Sequence, residues 1–289
     1  MQSSLSVCVT GSSKGIGLAM IKGLIKKPQQ YKLFVTSRAL DRAQQTVDEL
    51  LKEEDLQDSL TALELDLSNK ASIDDFLERI SEEGGLDILV NNGGINLRED
   101  AKTSQEKFDL QWNVNYTHTR YLIEQALEKG VFNKNGKIIT VTSMNGKFLR
   151  LKEKNPEVSA RIEKYHELGY EDLAELEQRC QEEYFTEKKD QWHKLPYSAS
   201  KMFMNLFCII ASKDARFLDQ GLQVYTMCPG WCKSEMNACD GDKPPRTVEQ
   251  GAETALYLID LPQKVDPELQ GKFFEYGKVS EYASELDVH

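Results

Sequence analysis

The sequence predicts an α/β fold, a doubly wound parallel sheet of seven strands with helices on both faces. Three observations carry this. Short apolar runs rich in strand formers alternate with longer stretches at helical spacing along most of the 289 residues, the signature of consecutive β-α units. Two of those runs, residues 86–90 (LDILV) and 138–142 (IITVT), lack polar alternation, as strands buried on both faces do. A glycine-rich turn directly follows the first strand, where such sheets bind ligands at their carboxyl edge.

Residues 5–10 (LSVCVT) form the first strand, and Ile16, Leu18, Ala19, Ile21 and Leu24 then recur at helical spacing. Residues 31–37 are the second strand and 42–52 a charged amphipathic helix. Residues 60–66 are the third strand, and a helix opens over 68–75 with Ser68 expected as its cap. The fourth and fifth strands, 86–92 and 136–143, flank a long helical stretch around 108–129. A helix over 197–218, a strand at 222–228, a helix at 249–260 and a last strand at 271–277 complete the pattern.

One segment breaks the rhythm. The stretch between Ser143 and Tyr197 is dense in Glu and Lys and has no strand pattern. It reads as helical over 161–165 and 171–183, with Leu173, Leu176 and Cys180 on one face. We expect a helical insertion, about residues 149–194, within a single domain spanning 1–289.

Apolar residues make up 40% and charged residues 29%, a globular balance, and the formal net charge is -11. That charge argues against nucleic-acid and anionic-membrane binding, so an anionic ligand needs a local basic pocket. No secretory pattern opens the sequence, and no apolar run approaches the ~20 residues of a membrane span. The six cysteines (Cys8, Cys180, Cys208, Cys228, Cys232, Cys239) are scattered, which predicts reduced thiols and a cytoplasmic protein. Cys228, Cys232 and Cys239 lie near one another, but Pro229-Gly230 interrupts them and no histidine is close, so no metal is expected.

The turn reads Thr10-Gly11-Ser12-Ser13-Lys14-Gly15-Ile16-Gly17. Between a strand and a helix, Gly11, Gly15 and Gly17 let the backbone turn tightly beside a pyrophosphate, with Ser13, Lys14 and Ile16 in the same loop. This is the Rossmann-type dinucleotide site. NAD-binding versions end the second strand in a carboxylate for the ribose 2′-hydroxyl. Here that strand ends Thr36-Ser37-Arg38, with no carboxylate until Asp41. Arg38 suits a 2′-phosphate, and Lys14 adds a second positive charge, so the cofactor expected is NADPH.

Tyr197 and Lys201 stand four apart, on one face of a helix. A free phenol has a pKa near ~10, too high for easy proton exchange at neutral pH, and a neighbouring ammonium lowers it. The pair is a credible acid–base unit, though the spacing alone is common. Its company gives it weight. Asn91-Asn92-Gly93-Gly94 follows the fourth strand, Asn115 lies in the next helical stretch, Ser143 follows the fifth strand, and Cys228-Pro229-Gly230 follows the sixth.

With the glycine turn, these motifs resemble the short-chain dehydrogenase/reductase family from Leu5 to about Gly277. The insertion, Pro229-Gly230-Trp231 and Glu249-Gln250-Gly251-Ala252-Glu253-Thr254 are similar to its monomeric NADPH-dependent carbonyl reductases. The resemblance implies reduction of ketones, aldehydes or quinones to alcohols. It makes Tyr197 the proton donor, Ser143 the group that orients the carbonyl oxygen, and Lys201 a partner of Tyr197 and the nicotinamide ribose. Asn115 would position a water that links Lys201 to solvent. Asp66 and Leu67 would meet the adenine, Asn92, Gly93 and Gly94 the adjoining cofactor, and Pro229, Gly230, Trp231 and Ser234 the nicotinamide side. Met144 and Trp231 would join Ser143 and Tyr197 around the substrate, unless Trp231 is a core aromatic.

Departures from the family pattern are small. Gly93 stands where alanine is usual, and Ser234 where threonine is. Met227 replaces a second cysteine beside Cys228, which argues against a glutathione-related role and leaves Cys228 a buried, inert thiol. The insertion is expected to cover a surface through which many relatives associate, hence a monomer. A dedicated biosynthetic ketone reductase or alcohol dehydrogenase shares all these features. A non-catalytic NADPH-sensing protein would have lost some of the four catalytic-set residues.

Overall fold

Val7, Cys8 and Val9 have no exposed surface because the first strand lies in the interior of the sheet. The computed structural model describes residues 4–53, 59–97, 105–147, 156–186, 196–240 and 243–282. Its strands are β1 (Leu5–Val9), β2 (Tyr31–Ser37), β3 (Ser59–Glu64), β4 (Leu86–Asn91), β5 (Phe132–Val141), β6 (Gln223–Cys228), β7 (Phe273–Glu275) and β8 (Lys278–Ser280). They form one sheet in the order β3-β2-β1-β4-β5-β6-β7-β8. Neighbours from β3 through β7 pair in parallel, and β8 runs antiparallel to β7. The winding reverses between β1 and β4, so a ligand crevice opens at their carboxyl ends.

The helices are α1 (Gly15–Ile25), α2 (Leu40–Glu53), α3 (Lys70–Glu82), α4 (Gln105–Trp112), α5 (His118–Glu128), α6 (Pro156–Ile162), α7 (Tyr170–Glu183), α8 (Pro196–Ala211), α9 (Ala215–Leu218) and α10 (Val248–Asp260). Alternate strand residues feed two cores. Val7, Val9, Ile88 and Ile139 join α1 and α10 on one face. Cys8, Leu89 and Ile138 join α3, α5 and α8 on the other, along with Leu173, Leu176 and Cys180 of α7. The insertion is therefore part of the second core, as its apolar face predicts. Residues 149–155 and 187–194 of the expected insertion lie outside the described residues.

Four elements differ from the sequence reading. The cap of α3 is Asn69, whose side chain accepts the Ala71 N–H at 3.0 Å. Ser68 is taken by Asp66, donating its hydroxyl to Oδ1 at 2.7 Å. The stretch around 108–129 is two helices joined by a π-turn, Asn113–Thr117. The helix expected over 197–218 stops at Ala211 and resumes as α9, where Asp214 accepts the Arg216 N–H at 2.9 Å. Finally, the chain reverses after β7 through Tyr276 and Gly277, at φ 52° and 72°, and adds β8 as an eighth strand. Among the described residues, no helix is long and apolar enough to cross a membrane.

Candidate active site

The glycine turn is fixed from two sides. Gly11 N–H donates to Thr36 Oγ1 at 2.9 Å, and Thr10 Oγ1 accepts the Gly93 N–H at 2.8 Å. Asn92 Nδ2 donates to the Thr10 carbonyl at 2.9 Å. The loops after β1 and β4 are thereby locked at the switch point. A Cβ on Gly17 would lie 2.7 Å from both Asn92 Nδ2 and Gly11 O, so only glycine permits that packing. The N-terminus of α1 has no side-chain cap, leaving its first N–H groups to an anion.

From this turn a groove of about 1320 Å³ runs in both directions. One arm passes Asp66 and Leu67 to Arg38; the other passes Asn92, Gly93 and Gly94 to Ser143 and Tyr197. Gly11, Ser13, Gly15, Ile16, Met144, Pro229, Gly230, Trp231 and Ser234 also line it. Trp231 is 44% exposed, which excludes the core-aromatic alternative. At the outer end, a recess of about 600 Å³ is lined by Arg38, Arg42 and Gln45 together with the carboxylates of Asp41 and Asp66. The sequence reading missed Arg42, although it stands four residues after Arg38 at the opening of α2. Lys14 lines the groove too, but its ammonium pairs with Glu235 from the opposite lip.

The other end is drier. Tyr197 opens α8, and Lys201, one turn on, is 5% exposed. Burial, reinforced by the Cys228 thiol, outweighs a hydrogen bond to Ser143 and pushes the Tyr197 phenol up to about 12. Lys201 loses charge stability to the same burial and falls to about 8. Its Nζ donates to the Val141 carbonyl at 2.8 Å and lies 5.7 Å from the Tyr197 ring centroid. The expected depression of the phenol is thus reversed in the protein alone, because desolvation dominates both groups. The result is a firmly protonated tyrosine beside a lysine that titrates near neutrality.

Asn115 sits in the π-turn. Its amide clamps Ile95, accepting the N–H and donating to the carbonyl at 2.8 Å each, and it donates to Ser200 Oγ at 3.3 Å. A Cβ on Gly94 would lie 3.1 Å from Asn115 Oδ1 and 3.5 Å from Lys201 Nζ. The Asn92–Gly94 loop therefore closes directly over both side chains. Ser143 Oγ accepts the Asn145 N–H at 3.1 Å. Cys228 Sγ accepts N–H groups from Met144 and Gly230, each at 3.3 Å. Burial pushes this thiol up to about 11, which keeps it protonated, as an inert thiol should be.

Arg246 and Tyr276 also line the groove and were missed from the sequence. Gly230 has φ +79°, and a Cβ there would meet Arg246 Cδ at 2.6 Å. The Arg246 guanidinium lies 4.8 Å from the Tyr276 ring centroid. Its backbone clasps the loop after β6: Lys233 N–H donates to Arg246 O at 2.8 Å and Arg246 N–H to Trp231 O at 3.3 Å.

Comparison with known proteins agrees with this geometry. Residues 6–153 match the family described as short chain dehydrogenase. The chain is 32% identical over 265 residues to carbonyl reductase [NADPH] 3 of Rattus norvegicus, covering 88% of this chain and 90% of that protein. Among solved structures, it resembles salutaridine reductase from Papaver somniferum, with TM-score 0.72, 22% identity and coverage of 94% and 99%. It also resembles an NADPH-bound carbonyl reductase from chicken fatty liver, with TM-score 0.66, 21% identity and coverage of 97% and 95%. At those identities the structural likeness speaks for the fold.

Proposed function

The chain belongs to the short chain dehydrogenase family, and from that premise we propose that it is an NADPH-dependent reductase of small carbonyl compounds, with Tyr197 as proton donor. The observation that carries this reading is one groove with two arginines at one end and Ser143, Tyr197 and, behind them, Lys201 at the other.

The residues present fit NADPH. The uncapped N-terminus of α1 would hold the pyrophosphate, Arg38 and Arg42 the 2′-phosphate, and Asp66 and Leu67 the adenine. Asn92, Gly93 and Gly94 would flank the inner ribose, and Pro229 to Ser234 the nicotinamide. Bound there, the cofactor supplies a hydride to the carbonyl carbon. Ser143 orients the substrate oxygen by donating a hydrogen bond. As the C=O π pair moves to that oxygen, Tyr197 gives it a proton and an alcohol forms. Lys201, able to hold or release a proton near pH 8, restores the tyrosine, and Asn115 orders the path to solvent. Trp231 and Met144 give the substrate end an apolar wall.

The protein is further proposed to be a cytoplasmic monomer of one domain. In support, the insertion packs α7 on α8 and supplies Leu173, Leu176 and Cys180 to the same core as Phe203 and Phe207. If relatives associate through the helix that bears Tyr197 and Lys201, the insertion would cover that face with the chain itself. Light scattering at micromolar concentration should give a single 32.9 kDa species; a stable tetramer would defeat this assembly reading. The central test is NADPH oxidation with a panel of quinones, aryl ketones, aldehydes and monoterpene ketones. Turnover confined to one compound would identify a dedicated reductase, and NADPH binding without turnover of any would sink the enzymatic reading.

A further inference from the structure

Asn115 stands in a π-turn, a rare single-turn departure from α-helical bonding that often occurs at functional sites. The next residue, Tyr116, is 1% exposed and turns the opposite way from the groove into a half-buried polar cluster against the insertion. Its hydroxyl donates to Glu177 Oε1 on α7. Arg120, one turn on, donates from Nη1 to the same oxygen at 2.9 Å and to the Tyr116 hydroxyl at 3.3 Å. Its Nε is held by Glu124 at 3.0 Å. The guanidinium lies 5.4 Å from the Phe207 ring centroid on α8 and 5.9 Å from that of Tyr170 on α7. Tyr116 packs edge-on to Trp112 at 5.4 Å and tilted to Phe203 at 5.8 Å, and Phe203 is two residues past Lys201.

The π-turn bearing Asn115 and helix α5 therefore meet the insertion at one carboxylate, and the helix bearing Lys201 packs Phe203 and Phe207 against the Tyr116 and Arg120 side chains that reach it. Burial holds the Glu177 carboxyl above its ordinary value in spite of its hydrogen bonds from Tyr116 and Arg120. The cluster is half-buried, so an incomplete set of partners would still cost part of the desolvation penalty, and its hydrogen bonds fix its geometry. We propose that Glu177, through Tyr116 and Arg120, is a positioning residue of the insertion that holds the π-turn in register so that Asn115 meets Ile95 and faces Lys201.

This inference rests on the relay described under Proposed function, and it changes the meaning of the insertion. Besides covering a face, the insertion supplies the outer support of the proton path. Removal of the Tyr116 hydroxyl releases the π-turn without touching the groove. Binding of NADPH should survive, and proton delivery should suffer.

The experiment compares Tyr116→Phe, Glu177→Gln and Glu177→Leu with Asn115→Ala and with Tyr170→Phe. Tyr170 also ties α7 to the body of the protein, through Asp214 at 2.9 Å, but away from the π-turn. For Tyr116→Phe and Glu177→Leu, kcat for carbonyl reduction is expected to fall about tenfold, since small misplacements of a working group cost that much or more. KM for NADPH should stay within about twofold, and the solvent deuterium isotope effect on kcat should rise. Glu177→Gln, which keeps an oxygen for Tyr116, should restore most of kcat. Tyr170→Phe should lower Tm without moving kcat. If Tyr116→Phe and both Glu177 variants lowered Tm but left kcat and the isotope effect unchanged, the cluster would be a plain structural brace and the inference overturned. Should Tyr116→Phe fail to fold, the Glu177→Gln against Glu177→Leu comparison decides alone. Unchanged kcat in Asn115→Ala would instead remove the relay itself, and this inference with it.

Discussion

The two ends of the groove solve opposite electrostatic problems. At the outer end Arg38, Arg42 and Lys14 are exposed, so their charge is cheap to hold and each contact is weak until an anion is bound. At the inner end Lys201 is 5% exposed and Tyr197 half-buried, so charge is expensive and both groups are driven toward neutrality. On the proposed function water would divide the labour, with affinity coming from the wet end and proton chemistry from the dry one. The sharpest way to break this division is Tyr197→Phe. It should lower kcat for carbonyl reduction by ~10² to 10⁴, the scale of a lost general acid, with NADPH affinity by fluorescence titration nearly intact. A Phe variant that still turned over at the parent rate would remove the division altogether.

The next largest effect is on pH. Burial depresses Lys201 from 10.5 to about 8, so its charge is present below that value and lost above it. Reduction consumes a proton. We expect kcat/KM for the carbonyl to be flat on the acid side and to decline as pH rises through about 8. Lys201→Met should lower the plateau and erase that limb, as measured by initial rates from pH 6 to 10. A limb that persisted unchanged in Lys201→Met would assign it to another group.

These two ends also differ in how far they could be read from the sequence. The strand–turn–helix around Gly11 to Gly17 is local, and the Tyr197–Lys201 spacing is one helical turn, so each is visible within a short window. The long-range part was not. Arg246 reaches Gly230 and Tyr276 from a loop remote in sequence from Tyr276; Gly230 was read as part of a motif and Tyr276 as part of a strand, but nothing local joins Arg246 to either. The π-turn left no trace either: one extra residue in the turn hardly disturbs an apolar pattern that continues on either side of 113–117. Ser68 and Asn69 are both good caps, and the choice fell to Asn69 only because Asp66 captures Ser68. At three residues, β8 is too short to show an alternation. Arg42 was legible as a second cation only four residues after Arg38, at the opening of the helix that follows it.

That missed arginine sharpens the outer end of the comparison. Arg38 and Arg42 line one recess, and a 2′-phosphate there would accept charge-assisted hydrogen bonds from both. Neutralising either should weaken NADPH by about tenfold or more, given ~1.5 to 3 kcal/mol for hydrogen bonds to charged groups. NADH, which lacks that phosphate, should change far less. Titration of both cofactors against Arg38→Gln and Arg42→Gln tests it, and equal losses for NADPH and NADH would place the 2′-phosphate elsewhere.

The smallest effect concerns Lys14, and it bears on whether the two lips of the groove act together. Lys14 is the residue before α1, and Glu235 follows the Pro229–Ser234 loop, so their pairing spans the groove. Both side chains are largely in water, at 52% and 70% exposure, where an ion pair contributes little. Arg42 adds its own favourable field at Glu235. A 2′-phosphate near Arg38 and Arg42 competes with Glu235 for the same cations. Glu235→Gln should therefore release Lys14 and tighten NADPH by a few-fold, most at low salt, where exposed charges are least screened. Lys14→Met should weaken it by a similar factor. If Glu235→Gln instead weakened NADPH, the pair would act as a clasp over the bound cofactor, and the exposed end would owe some of its affinity to closure as well as to its cations.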